Sequence, residues 1–219
     1  MIRTGLAWTG GLFVVAVAIS LAGAVVIPED AVMPRRWGFD GEPTGYMARD
    51  MLLILMPAVV LGVGLLLAVL PLIDPRGENL RKSAGFYLAA WIGGLMITTA
   101  VHGMVVYAAA TGTNVDARYV FVGTGLFIAV IGDRMAKSRS NWFAGLRTPW
   151  TLSSEHAWGV GNRWSGRLLV LTGLLSAGAA VLAGAAASAA ALTAGVLTAV
   201  VAGTVASWLA WRSDPEASR

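Results

Sequence analysis

The sequence predicts an all-α integral membrane protein, with six transmembrane helices and a short interfacial helix before the fifth. Three observations carry this. The 219 residues are 57% hydrophobic and only 13% charged, with mean hydropathy +0.70, whereas a soluble domain carries about 25% charged residues. Its apolar runs reach the roughly 20 residues needed to cross a hydrocarbon core about 30 Å thick, without the period-two alternation of a membrane barrel. Lys and Arg also collect on alternate loops, the signature of a multi-pass chain.

The first span covers residues 5–27. Arg3 followed by an apolar stretch and Ala-Gly-Ala at 22–24 resembles a signal peptide with its small-residue cleavage site, but the stretch is long for one and more spans follow, so a retained helix is expected. The second span covers 51–73, with Pro57 near its start and Pro71 near its end. The third covers 84–110 and the fourth 118–135. The fifth and sixth divide the run 165–211, which as one helix would be roughly 70 Å long and must therefore turn back. The sequence Gly-Ala-Ala-Ala-Ser-Ala-Ala at 184–190 is where that turn is expected. Two regions are drawn from this: 1–73, a helix pair with a structured loop at 28–49, and 74–219, a four-helix region with a polar segment at 132–166.

With the N-terminus inside, the inner side holds Arg3, Arg76, Arg81, Lys82, Arg134, Lys137, Arg139, Arg147, Arg163, Arg167, Arg212 and Arg219. The outer side holds only Arg35, Arg36, Arg49 and Arg118. This bias predicts a bacterial inner-membrane protein with both termini cytoplasmic. The net charge of +4 and pI near 10.0 read as this orienting signal and as contact with anionic lipid, not as direct nucleic-acid binding. Small residues recur every fourth position at Ser176, Ala180, Gly184 and Ser188, and again at Gly195, Ala199, Gly203 and Ser207. Such strips let helix backbones approach closely, within the chain or across a homodimer seam, and packing within the chain is expected.

Two loops depart from the Ala, Val, Leu and Gly background. The outer loop, 27–50, is rich in Pro and Gly and reads as consecutive turns, with Trp37, Phe39 and Tyr46 suited to the headgroup level. It is either an interfacial cap or a small recognition element. On the inner side, Asn141 and Trp142 lead into Leu146, Arg147 and Thr148 bracketed by Gly145 and Pro149. A helix start follows, with Ser153 as its N-cap and Glu155 in its first turn. That helix is expected to lie amphipathic at the membrane surface, with Ala157, Trp158, Gly161, Trp164 and Ser165 on one face and Glu155, Asn162 and Arg163 on the other. Arg147 is a candidate for bidentate binding of a carboxylate or phosphate; pairing with Glu155 or a lipid headgroup is the plainer reading. His102 lies mid-span, where an ionisable group is either functional or hydrogen-bonded to a neighbouring helix. Asp133 ends the fourth span and is expected to pair with a nearby Arg.

No H-E-x-x-H, G-x-S-x-G, P-loop or G-x-G-x-x-G is present, and no Cys. Two His residues and no thiolate make a zinc site remote, so no metal and no cofactor is expected.

The segment 132–166 resembles the signature of the SdpI family of bacterial membrane immunity proteins, which reads N-x-x-x-G-I-R-T-P-W-T-L and then S-x-E-x-x-W before a basic segment ending in Gly. Asn141, Gly145, Arg147, Thr148, Pro149, Trp150, Thr151, Leu152, Ser153, Glu155, Trp158, Arg163 and Gly166 match, and Leu146 replaces Ile. The outer loop resembles the small N-terminal domain of unknown function that accompanies this family, through Pro34, Trp37, Gly41, Pro43 and Tyr46. Two positions depart: Arg36 stands where relatives often carry His, and Gly161, Asn162 and Arg163 replace Thr-His-Arg. The resemblance implies protection against a secreted peptide toxin met on the outer face, and in some members a cytoplasmic transcriptional regulator held at the membrane. The readings kept beside it are a small-molecule or peptide transporter with His102 on its route, and a membrane enzyme using Arg147 and Glu155.

Overall fold

A computed structural model describes residues 1–38 and 40–214. Phe39 and Arg219 lie outside them. The chain runs α1 (Ile2–Val26), β1 (Val32–Trp37), β2 (Pro43–Ala48), α2 (Arg49–Ile73), α3 (Gly77–Lys82), α4 (Ala84–Thr111), α5 (Ala117–Met135), α6 (Pro149–Ser153), α7 (Glu155–Ala183) and α8 (Ala185–Arg212). Five of these, α1, α2, α4, α7 and α8, are long and apolar enough to cross a membrane, and the chain is an all-α membrane protein in class. The fourth expected span is also a helix, α5, but Arg118, Asp133 and Arg134 crowd its 19 residues, and it does not meet the same measure.

Helix α2 contains both Pro57 and Pro71. A proline has no N–H, so each frees the carbonyl four residues earlier, at Leu53 and Leu67. In hydrocarbon such a carbonyl needs a partner. Ser20 of α1 donates to Leu53 O at 2.7 Å. Tyr87 of α4 donates to Leu67 O at 2.6 Å. Two prolines that would weaken α2 alone thereby bond it to the helices on either side. Around these bonds lie two apolar clusters. One, at the depth of Tyr87, packs Ala16, Val60, Leu80, Trp91 and Leu95. The other packs Ile27, Met33, Leu52, Leu53, Val105 and Val106 under the strands.

The second half packs backbone against backbone. A Cβ at Gly125 of α5 would sit 2.6 Å from Gly173 O, and one at Gly132 would sit 2.5 Å from Gly166 O, both on α7. Glycines seven residues apart on each helix therefore meet face to face. The α7–α8 pair uses the small-residue strips as expected within the chain: Ser165 donates to Ala199 O at 2.9 Å, and Ser188 donates to Ser176 O at 2.8 Å. A side chain at Gly203 would collide with Ser165, and one at Gly195 with Thr172. The turn falls on the first residue of the expected stretch. Gly184 alone reverses the chain, at φ 89° and ψ −177°, a conformation open to glycine and little else.

The loop expected on the outer side is an antiparallel hairpin, which turn chemistry alone did not indicate. Its pairs include Pro34 with Tyr46, Arg36 with Gly45 and Trp37 with Pro43. The register leaves Arg35 as an extra, bulged residue, beside a Pro that has no ladder donor to offer. At the tip, Gly41 has φ 86° and lies against Ala117 and Ala185. The hairpin thus stretches from α1 and α2 to the starts of α5 and α8.

Candidate functional site

Polar chemistry gathers at the two ends of the bundle. At one end, the segment between α5 and α7 is a network of hydrogen bonds. Asn141 is fully buried. Its carbonyl accepts from Phe143 N at 3.0 Å and Ala144 N at 2.7 Å, and its amide donates to Arg139 O at 2.8 Å. Asn162 does the same work from α7, accepting from Leu146 N at 2.8 Å. Trp158 donates its indole N–H to Ser138 O at 3.0 Å. Gly145 sits at φ 115° with its α-carbon pressed against this pair: a Cβ there would lie 2.7 Å from Asn162 Oδ1 and 2.9 Å from the Trp158 ring. Thr148 and Thr151 form a reciprocal capping box on α6, with Pro149 at its first position. Trp150 donates to Ser207 of α8 at 2.9 Å.

The anchors of this network from the first half were not singled out in the sequence. Arg76 donates to Ser140 Oγ and, at 2.7 Å, to Leu152 O. Asn79 donates to Ser140 O at 2.9 Å. Asp74 accepts from Arg76 N at 2.7 Å, and its other oxygen accepts from Trp142 N at 3.4 Å. The signal available was Asp74-Pro75-Arg76 directly after an apolar span, which the charge count absorbed as topology. On α3, a hydrogen bond from Lys82 and its charge hold the Glu78 carboxyl below its usual range.

Several expectations change here. Arg147 donates to Trp142 O, and among the described residues no ion pair joins it to Glu155. Both side chains are exposed. The N-cap of α7 is Ser154, which accepts from Ala157 N at 3.0 Å; Ser153 ends α6. The short helix before the fifth span is the five-residue α6, while the amphipathic stretch from Glu155 onward is the beginning of the continuous α7. Asn162 is buried and not on an outward face, because the 141–146 loop folds over it. Trp164 is half exposed instead of packed. Arg163 is exposed as expected, with its guanidinium over Gly159. Asp133 pairs with Lys137 at 2.7 Å and Arg134 at 3.5 Å.

At the other end the hairpin is held by a residue that also escaped notice. Arg49 is buried, donates to Ile27 O at 2.5 Å and pairs with Asp50 at 2.8 Å. It neutralises the carbonyl end of α1, where a cation is favoured. Arg36 and Tyr46 face outward. Met33 and Trp37 face inward onto the apolar cluster. Below them His102 is 1% exposed and lies 2.9 Å from Ser20 Oγ. Ser20 thereby joins the carbonyl of Leu53 on α2 to the His102 ring on α4. A cavity of about 250 Å³ separates the hairpin from α2 and α4.

Known proteins resemble this chain. The SdpI/YfhL protein family model matches residues 137–211, the stretch from the end of α5 through α8. The immunity protein SdpI of Bacillus subtilis (strain 168) is 24% identical over 169 residues, covering 75% of this chain and 77% of its own length. No solved structure matches.

Proposed function

Since residues 137–211 belong to the SdpI/YfhL protein family, we propose that this chain is a non-enzymatic membrane immunity protein that protects its cell against a secreted peptide toxin. The observation that carries the reading is the hairpin. It is a bulged pair of strands, anchored by Arg49 and by Gly41 at its tip, with Arg36 and Tyr46 displayed outward. In this reading the hairpin end faces outward and meets the toxin. The network end and both termini lie in the cytoplasm, in agreement with the Lys and Arg bias. There the exposed Trp142, Arg147, Glu155, Arg163 and Trp164 form the surface offered to lipid headgroups and to a cytoplasmic regulator.

Expression in toxin-sensitive cells tests it. Protection against at least one secreted membrane-active peptide is expected, and loss of that protection in the Arg36→Ala, Tyr46→Ala double variant at unchanged protein level. Equal killing with and without the protein, across a broad panel of such peptides, overturns the reading. A reporter fused after Arg212 is expected to be active only as a cytoplasmic fusion.

A further inference from the structure

Helices α1 and α2 run antiparallel, since Ser20 meets Leu53 and Thr9 meets Gly64. The start of α1 therefore lies beside the end of α2. Both helices are long and apolar enough to cross a membrane, so this shared end sits at headgroup depth. A cavity of about 350 Å³ opens there. Ile2 and Arg3 of α1, Pro71 and Leu72 of α2, and Gly77 and Arg81 of α3 line it. Arg3 and Arg81 are its only charged side chains. Both are exposed, and among the described residues neither takes part in an ion pair. The first turn of α1 carries no acid. Glu78, one turn before Arg81, is taken by Lys82 at 2.9 Å. Two cations brought to one cavity from separate helices repel each other, and an anion between them reverses that cost. Their forked donors match the oxygens of a phosphate. Beside them Leu72 is 72% exposed, so the way out of the cavity along α2 is apolar.

We propose that this cavity retains one anionic phospholipid, its phosphate held by Arg3 and Arg81 and its acyl chains running along Leu72. The volume suits a phosphate with its glycerol: a cavity of ~150 Å³ holds benzene, and this one is more than twice as large. A choline headgroup would bring a third positive charge to the two arginines, so a zwitterionic choline lipid is a poor ligand. A soluble phosphomonoester offers the same oxygens, but it leaves Ile2 and Leu72 uncovered. The inference does not depend on toxin protection; it stands or falls on binding alone.

Native mass spectrometry of the full-length protein in mild detergent tests it, with phosphatidylglycerol and phosphatidylcholine of matched chains titrated separately. The expected result is one saturable phosphatidylglycerol adduct, with phosphatidylcholine bound far more weakly. Each arginine near a charged membrane surface is worth about fivefold in affinity. The Arg3→Gln, Arg81→Gln double variant is therefore expected to lose about 25-fold, and Arg81→Gln alone about fivefold; the single variant remains the test if the double one does not fold. Arg139→Gln, Arg167→Gln removes the same charge from two other exposed positions and is expected to keep the adduct. Excess glycerol 3-phosphate is expected to leave the adduct in place. Equal binding of the two lipids, unchanged binding in the Arg3 and Arg81 variants, or an equal loss in the Arg139 and Arg167 variant overturns the proposal. Displacement by glycerol 3-phosphate overturns the lipid as the ligand and assigns the site to a soluble phosphate.

Discussion

The two ends of this bundle bury polar atoms differently, though each keeps an indole nitrogen without a partner, Trp37 Nε1 at the hairpin end and Trp211 Nε1 at the other. At the 138–162 end, Asn141, Thr151, Trp158 and Asn162 are almost completely buried and every one of them is hydrogen-bonded. At the hairpin end, His102 and Trp37 each keep a buried nitrogen without a partner beside a hollow. A fully satisfied network rigidifies and specifies one arrangement, whereas a partly satisfied one is held at a cost. The difference teaches that the most motif-like segment of the sequence serves first to join the two halves of the chain. Beneath the less conspicuous hairpin, two buried nitrogens are left without a partner.

If that contrast is right, the network end should be the least tolerant of change. Gly145→Ala meets both a positive φ and a Cβ 2.7 Å from Asn162 Oδ1, and a loss of about 3 kcal/mol or more is expected. Thermal unfolding of the detergent-solubilised protein measures it, and a shift indistinguishable from wild type would break the contrast. Asn141→Ala leaves the N–H groups of Phe143 and Ala144 without their acceptor, for a loss of about 2 kcal/mol. A matching loss in Asn162→Ala would sharpen the comparison. Between the ends, Ser20→Ala and Tyr87→Phe each unpair one proline-freed carbonyl, with about 1–2 kcal/mol expected for each. Their effects should add, since Leu53 and Leu67 are about 21 Å apart along α2. The smallest effect on stability, within about 0.5 kcal/mol, is expected for Arg36→Ala and Tyr46→Ala on the outward face of the hairpin. A large destabilisation there would mean that the hairpin is held by its exposed side chains and not by Arg49 and Met33.

Much of this architecture was legible in advance. The spans around α1, α2, α4, α7 and α8 follow from apolar length, and the turn at Gly184 from the limit that a bilayer sets on a helix. The α7–α8 seam follows from small residues at every fourth position. What sequence could not supply is which polar residue reaches which partner. Arg147 and Glu155 fall eight residues apart and carry opposite charge, so a pair was the natural reading. A left-handed glycine between Asn141 and Arg147 instead folds the loop back, and the guanidinium finds the Trp142 carbonyl. Arg76 and Arg49 were read only as topology signals because charge counting treats every cation at a span end alike. Their roles depend on helices that arrive more than twenty residues away in sequence, such as α1 for Arg49. The hairpin escaped because Pro34 and the bulged Arg35 interrupt the alternation that marks a strand.

The prolines of α2 also bear on how the chain is made. Synthesis delivers helices to the membrane in order. The Leu53 carbonyl has its partner already waiting, since Ser20 lies on the helix that precedes it. The Leu67 carbonyl does not, because Tyr87 lies two helices later. A nascent chain that has inserted only α1 and α2 therefore carries one closed joint and one open one, and the open joint can close only after α3 has been passed and α4 has entered beside it.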